Sequence, residues 1–192
     1  MTVTTVRPVD PDADGPLLHR WVTAPRAAFW GMQQHSLDDV VEVYRYIGDQ
    51  PHLRALLAES DGQPLALLQT YDPTVDEIGA FYDRRPGDVG MHLLLADDPA
   101  RAGRTPEILD HLLDAFFGHA AVQRLVFEPD AGNEKSLALL RSRGAEPGPQ
   151  VHLVLSYAEK DAQFWFFPRE GWSPRRSGGA TPAAADLLPA TF

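Results

Sequence analysis

Apolar residues recur along this chain at two spacings, and the alternation between them outlines its elements. After a short β-rich start, Val3 to Val6, the segment Asp12 to Val22 accommodates a short helix, and Trp21 to Gln34 reads as a loop that carries Phe29, Trp30 and Met32. Ser36 with Asp39 three residues on is a capping-box signal, and Val40, Val43, Tyr44 and Ile47 follow at helical spacing, which predicts a helix from about Leu37 to Ile47. Two strand-length runs, Leu53 to Glu59 and Leu65 to Tyr71, flank the turn Ser60-Asp61-Gly62-Gln63 and predict a β-hairpin that Asp72-Pro73 ends. A third apolar run, Asp88 to Ala96, is buriable on both faces except where Gly90 and His92 interrupt it, and such interruptions mark a bulge or a close ligand.

In the second half Thr105 is a good N-cap, Pro106 a good first helical residue and Glu107 a favourable first-turn anion. The pairs Ile108/Leu109, Leu112/Leu113 and Phe116/Phe117 then recur every four residues, so this helix should lie against a sheet. Leu125 to Phe127 is a short strand, Glu128 to Gly132 a loop, and Asn133 an N-cap for a helix through about Arg143 that Gly144 stops. Val151 to Tyr157 and Gln163 to Phe167 are the last strands. The order β-α-α-β-β-β-α-β-α-β-β gives an α/β fold, a mixed sheet with helices on both faces. It occupies residues 1–172. From Ser173 to the end, 173–192, Pro, Gly, Ala and Ser dominate and no periodicity survives, so a disordered tail is expected there.

At 192 residues one domain is the working assumption. No apolar run approaches the ~20 residues of a membrane span, and the start lacks a secretory pattern, so a cytoplasmic protein that meets no membrane is expected. The absence of cysteine excludes a thiol nucleophile, disulfides and thiolate metal sites. A formal charge of −10 argues against a nucleic-acid partner and suits a cationic small substrate, although an acidic surface also serves solubility alone.

Arg101 to Thr105, a Gly-containing turn before a helix N-terminus, fits an anion site, because free backbone N–H groups and the helix dipole point at it. By itself such a stretch is more often a simple surface turn. Phe127-Glu-Pro-Asp-Ala-Gly-Asn-Glu-Lys-Ser-Leu-Ala-Leu-Leu with Gly144 behind it carries more. It resembles the strand-loop-helix of GNAT acyltransferases, in which an Asn caps the helix beside the bound cofactor. With Trp30-Gly-Met, Gly87-Asp-Val-Gly-Met-His and Gln163-Phe-Trp-Phe, the stretch from Trp21 to Glu170 is similar to the branch of that superfamily that acylates hydroxylated amines for hydroxamate siderophores.

The resemblance implies acetyl-CoA or another short acyl-CoA as co-substrate. Its pyrophosphate is expected at Arg101, Gly103, Arg104 and Thr105, and the rest of it along Leu93 and Leu95 and near Asn133 and Ser136. The acceptor would be a hydroxylated diamine or basic amino acid such as N-hydroxycadaverine or N-hydroxylysine. It implies that His92 lies at the acceptor site and that Asp130 is the proton acceptor. On residue type alone, a single His on an apolar strand is more often a core residue, and an Asp after Pro a turn former. Carbonyl polarisation is expected from N–H groups between Met91 and Leu95, freed by a bulge.

Trp30, Gln33, His35, Tyr71 and Tyr82 are the candidates for an acceptor pocket, since aromatic surfaces suit an aliphatic chain ending in a cation. The other histidines, His19, His52, His111, His119 and His152, show no metal spacing, and a His92/Asp130 pair lacks a third ligand, so no metal is expected. Two other readings remain open, an aminoglycoside or polyamine N-acetyltransferase and a non-catalytic acyl-CoA-binding module. A monomer and a homodimer fit equally.

Overall fold

A computed structural model describes residues 5–170, 172–173 and 187–192. Seven strands form one sheet in the order β1-β2-β3-β4-β5-β7-β6. They are β1 (Thr5–Pro8), β2 (Leu53–Ser60), β3 (Gln63–Tyr71), β4 (Asp88–Leu95), β5 (Arg124–Phe127), β6 (Glu146–Val154) and β7 (Glu159–Pro168). The helices are α1 (Pro11–Val22), α2 (Leu37–Asp49), α3 (Thr105–Phe117) and α4 (Glu134–Ser142). This is the expected element order. The 3-10 segment Pro25–Trp30 lies within the expected aromatic loop, and a second, Glu77–Ala80, follows β3. Among the described residues no helix is long and apolar enough to cross a membrane.

Side-chain alternation along the strands sorts the core into two layers. Leu56, Leu68, Met91 and Leu125 face α3 on one side, and Ala55, Leu57 and Leu67 face α1 and α2 on the other. The capping box of α2 forms as the sequence predicts, with Asp39 N donating to the Ser36 hydroxyl and the Asp39 carboxylate accepting from Ser36 N at 2.8 Å. The hairpin turns through Asp61 and Gly62, both with positive φ, 52° and 76°.

All pairings are antiparallel except β4 with β5, which pair in parallel over only three positions, Asp88 to Gly90 against Arg124 to Val126. A buried ion pair fixes that short junction: Arg124 donates to both carboxylate oxygens of Asp88, at 2.8 and 2.7 Å. Beyond Gly90 the two strands part while β4 stays bonded to β3 as far as Leu95. Ala96 N donates to Leu65 O, so by alternation the amides of Leu94 and His92 also turn toward β3, and those of Leu93 and Leu95, past the last position paired with β5, turn toward the gap. The β3–β4 register runs from Ala66 to Tyr71 without a shift. The free donors therefore come from the parting of β5, and the bulge expected in β4 is not there.

Gly90 has a packing role of its own. A Cβ at this position would stand 1.9 Å from the Tyr71 ring, so the missing side chain makes room for that ring across the sheet. The expectation of a ligand approaching Gly90 is corrected accordingly. The end of the chain also departs from expectation. Leu187 and Leu188 are buried against the α3 layer, and the Thr70 hydroxyl donates to Leu187 O at 3.4 Å. Residues 174–186 of the expected tail lie outside the described residues.

Candidate active site

Where β4 and β5 part, the sheet opens into a cavity of about 1590 Å³. A site for one small ligand is roughly 300–1,000 Å³, so this one has room for two substrates. His92, Asp130, Leu93, Leu95, Arg101, Thr105, Asn133, Ser136, Trp30, His35 and Tyr71 all line it. Gln33, Tyr82, Gly103 and Arg104 do not. Gln33 turns back toward Ala24 O and Pro25 O, and Tyr82 bonds to Asp88 at 3.0 Å while its ring packs on Phe164 and Phe166. Arg104 reaches the Ser60 hydroxyl at 3.4 Å, and Gly103 is a left-handed turn position, φ 73°, with open space around it.

The centre of the site is a carboxylate. Glu128, directly after β5, is completely buried, and its Oε1 is hydrogen-bonded to His92 Nε2. Oε2 accepts from the Tyr71 hydroxyl at 2.8 Å, and Lys160 Nζ donates to the Glu128 carbonyl at 2.7 Å and lies 3.5 Å from Oε1. Burial pushes the Glu128 carboxyl up, but His92, Lys160 and Tyr71 together outweigh it and hold it down at about 2. Burial and the same carboxylate push the Tyr71 phenol well up, so it stays a donor.

This arrangement decides which ring nitrogen of His92 does what. An ionised carboxylate only accepts, so Nε2 carries the hydrogen, and in the neutral ring Nδ1 is left as the acceptor. Neighbours fix the ring plane: Trp30 stands edge-on at 6.4 Å between centroids, and Tyr71 lies 5.4 Å away. Trp30 itself, like Gln69, is held by the buried Tyr44 hydroxyl. An apolar strand thus delivers one polar ring, half-exposed, to the mouth of the fork.

Asp130 stands on the loop after β5, paired with Ala162 through an isolated bridge. Its Oδ1 accepts from Gly132 N at 2.7 Å, which makes it a turn former as well as a cavity residue. Asn133 caps α4 by accepting from Ser136 N at 3.2 Å. Thr105 is the first residue of α3 rather than its cap, and Arg104, at the cap position, makes no side-chain cap hydrogen bond. The Thr105 hydroxyl instead accepts from Arg101 at 2.6 Å, and Arg101 also donates to Ala96 O. Burial and the nearby Arg26 pull the Arg101 guanidinium below its ordinary value, with Asp97 opposing. Two arginines therefore share this part of the cleft.

Sequence reasoning missed Glu128 as a functional group, along with Lys160 and Arg26. Arg26, in the 3-10 segment, donates to Leu95 O on the open edge of β4. Glu128 carried a usable signal: it follows Val126 by two residues, in phase with the face on which His92 stands.

The fold and this forked site define an acyl-CoA-dependent N-acyltransferase, and the chain belongs to the GNAT acetyltransferase family, whose acetyltransferase (GNAT) domain matches residues 10–153. It is similar to the N-hydroxyputrescine acetyltransferase of Acinetobacter baumannii, 27% identical over 155 residues, 80% of this chain and 72% of that enzyme. It is also similar to the N(6)-hydroxylysine O-acetyltransferase of Escherichia coli, 26% identical over 143 residues, 72% of this chain. There it spans only 44% of the relative's length. Among solved structures, AAC(6')-Ib in complex with acetyl-CoA superposes with a TM-score of 0.74 at 21% identity, covering 91% of this chain and 98% of that one. The spermidine N-acetyltransferase of Vibrio cholerae in complex with CoA and spermine gives 0.67 at 13%, covering 88% and 96%. These two likenesses are of fold.

Proposed function

We propose that this enzyme moves an acetyl or other short acyl group from acyl-CoA to the hydroxylated nitrogen of a diamine or basic amino acid, a step of hydroxamate siderophore assembly in the cytoplasm. The observation that carries this reading is the Glu128–His92 pair at the fork, which leaves Nδ1 of His92 as an oriented acceptor for the N–OH hydrogen of such a nitrogen. The sequence relatives named for hydroxylated putrescine and hydroxylysine support it.

The residues divide the work. The open edge of β4, at Leu93 and Leu95, offers backbone donors and acceptors to the amide-bearing arm of the acyl donor. The N-terminus of α3 and its dipole, with Arg101 and Arg26, suit its pyrophosphate. The hydroxylated nitrogen forms the new bond to the acyl carbon as the carbon–sulfur bond breaks, with its electron pair leaving on sulfur. The nitrogen's proton passes to Asp130, whose Oδ1 is engaged by Gly132 N while its other oxygen is left for the cavity. A hydroxylamine is far less basic than an alkylamine, so it arrives neutral and the carboxylate has only to accept a proton late.

The fold likeness to AAC(6')-Ib keeps an unhydroxylated amine as the second reading. Steady-state rates with acetyl-CoA on N-hydroxycadaverine and on cadaverine separate the two. The reading requires kcat/KM to favour the hydroxylated amine by about a hundredfold, the order that one oriented hydrogen bond at the reacting centre supplies. Equal values on both amines would remove it.

A further inference from the structure

We infer that Asp76 is the specificity-determining anchor of the acceptor pocket, taking the distal ammonium of an acceptor whose other end reacts beside His92; this rests on the acyl-transfer reading above. Asp76 lines the same cavity as His92 and Asp130. It sits just before the 3-10 segment Glu77–Ala80, in a loop tied to the β6–β7 hairpin. Glu77 accepts from Ser156 N at 2.9 Å and also binds the Ser156 hydroxyl, and Asp76 Oδ1 accepts from the Tyr157 hydroxyl at 3.2 Å. The same Oδ1 caps Ile78 N at 2.9 Å. Both protein donors thus fall on one oxygen, and Oδ2 is left for the cavity.

Of the other carboxylates that line the cavity, Asp130 is the one assigned above to the proton of the reacting nitrogen, and Glu77 is bonded to Ser156. Glu128 is bonded to His92, Tyr71 and Lys160, Glu159 to His152, and Asp39 closes the capping box of α2. Glu42 is exposed on α2. Asp76 is half-buried, and burial pushes its carboxyl up, with Glu128 adding to the rise and His92 and the Tyr157 hydroxyl opposing it. A carboxylate held out of water beside a second one is a place where a cation binds favourably. The cavity that Asp76 and His92 share is also lined by Tyr71, Ile78 and Leu155, which pack in one apolar and aromatic cluster. An aliphatic chain with a cation at its far end suits that combination of an apolar lining and a carboxylate.

The experiment compares N-hydroxycadaverine with N-hydroxypentylamine, the same chain without the distal ammonium, in the wild type and in Asp76→Asn. Asn keeps an acceptor oxygen for Ile78 N and Tyr157, so the loop stays folded, and an unchanged melting temperature checks it. Loss of a charge-assisted contact should raise KM for N-hydroxycadaverine about tenfold or more. KM for N-hydroxypentylamine and for acetyl-CoA should stay within about twofold, the scatter of changes that touch neither ligand. Equal effects on both amines, or none on either, would overturn the inference. If the wild type acylates neither amine, the functional reading fails instead. Calorimetric binding of cadaverine against pentylamine, in both proteins, then still decides Asp76: a preference for cadaverine that Asp76→Asn abolishes sustains it, and no preference refutes it.

Discussion

His92 on β4 and Glu128 at the end of β5 are 36 residues apart in sequence and share a hydrogen bond across the fork of the sheet, while the second oxygen of Glu128 accepts from Tyr71 on β3. One buried carboxylate therefore joins three adjacent strands at the point where two of them separate. It holds the ring that lines the cavity.

Glu128→Gln tests that junction. His92 and Tyr71 bond to different oxygens of Glu128, so in Gln one of them meets an NH2 donor in place of an acceptor, and one buried donor is left unpaired at a cost of ~1–3 kcal/mol. Melting temperature should fall, and kcat should fall with it as the ring loses its fixed tautomer. The pH dependence has a definite sign. The carboxyl is lowered from its ordinary 4.5 to about 2, so its contribution to stability is complete above pH 4.5 and is lost as pH falls toward 2. Denaturant unfolding across that window should show this loss in the wild type and a flatter profile in Glu128→Gln. Parallel profiles would mean that the pair does not govern acid stability.

Gly90→Ala should be damaging although it adds one methyl group to an apolar strand. Its Cβ would overlap the Tyr71 ring, and overpacking of this kind typically costs ~1–3 kcal/mol. Displacing Tyr71 also removes a hydrogen bond from Glu128. A lower melting temperature together with reduced kcat is expected, and a variant with wild-type kcat would show that the ring's position does not matter to the site.

The periodic parts of the fold were legible, because the patterns of α2, the β2–β3 hairpin, α3 and α4 report burial on one face and their caps are local. What was not legible depends on pairing between distant strands. That β5 leaves β4 after Gly90 has no local signature, and from the sequence alone only a bulge accounts for free amides on β4. Tyr82 has the character of a pocket residue, yet it packs on Phe164 and Phe166 from β7, far along the chain. Glu128 stood inside a motif singled out from sequence, but its bond to His92 exists only once β4 and β5 are neighbours. Leu187 and Leu188 lie in a stretch whose composition reads as tail, yet both are buried in the core layer that α3 covers.

Arg101→Ala should raise KM for acetyl-CoA while leaving kcat at saturation nearly unchanged. From sequence alone this side chain looks like a screened surface contact. In the structure it is half-buried and ties the loop to Ala96 O and to the Thr105 hydroxyl, so its removal loosens the approach to the first turn of α3 as well as deleting a charge. Arg104, which points to Ser60, should matter less to KM. A charge-driven share should also appear in the wild type as a KM that rises with ionic strength. Equal KM changes in Arg101→Ala and Arg104→Ala would place the donor's anionic end elsewhere.

Asp130→Asn should lower kcat strongly and leave acetyl-CoA affinity nearly intact. The carboxylate has two separable tasks at this position. Its Oδ1 holds Gly132 N at 2.7 Å and so shapes the loop into α4, a task that the amide oxygen of Asn performs equally well. The residue also lines the cavity shared with His92, and for the proposed proton transfer Asn offers no acceptor of comparable basicity. Stability and donor binding should therefore change little, while kcat with N-hydroxycadaverine drops by about 10²- to 10⁴-fold, the usual contribution of a general base. His92→Ala should instead raise acceptor KM as well as lower kcat, since its ring holds the N–OH group, and the two variants are told apart by that split. If Asp130→Asn retains wild-type kcat at neutral pH, the residue is a turn former alone, and the proton must leave through His92.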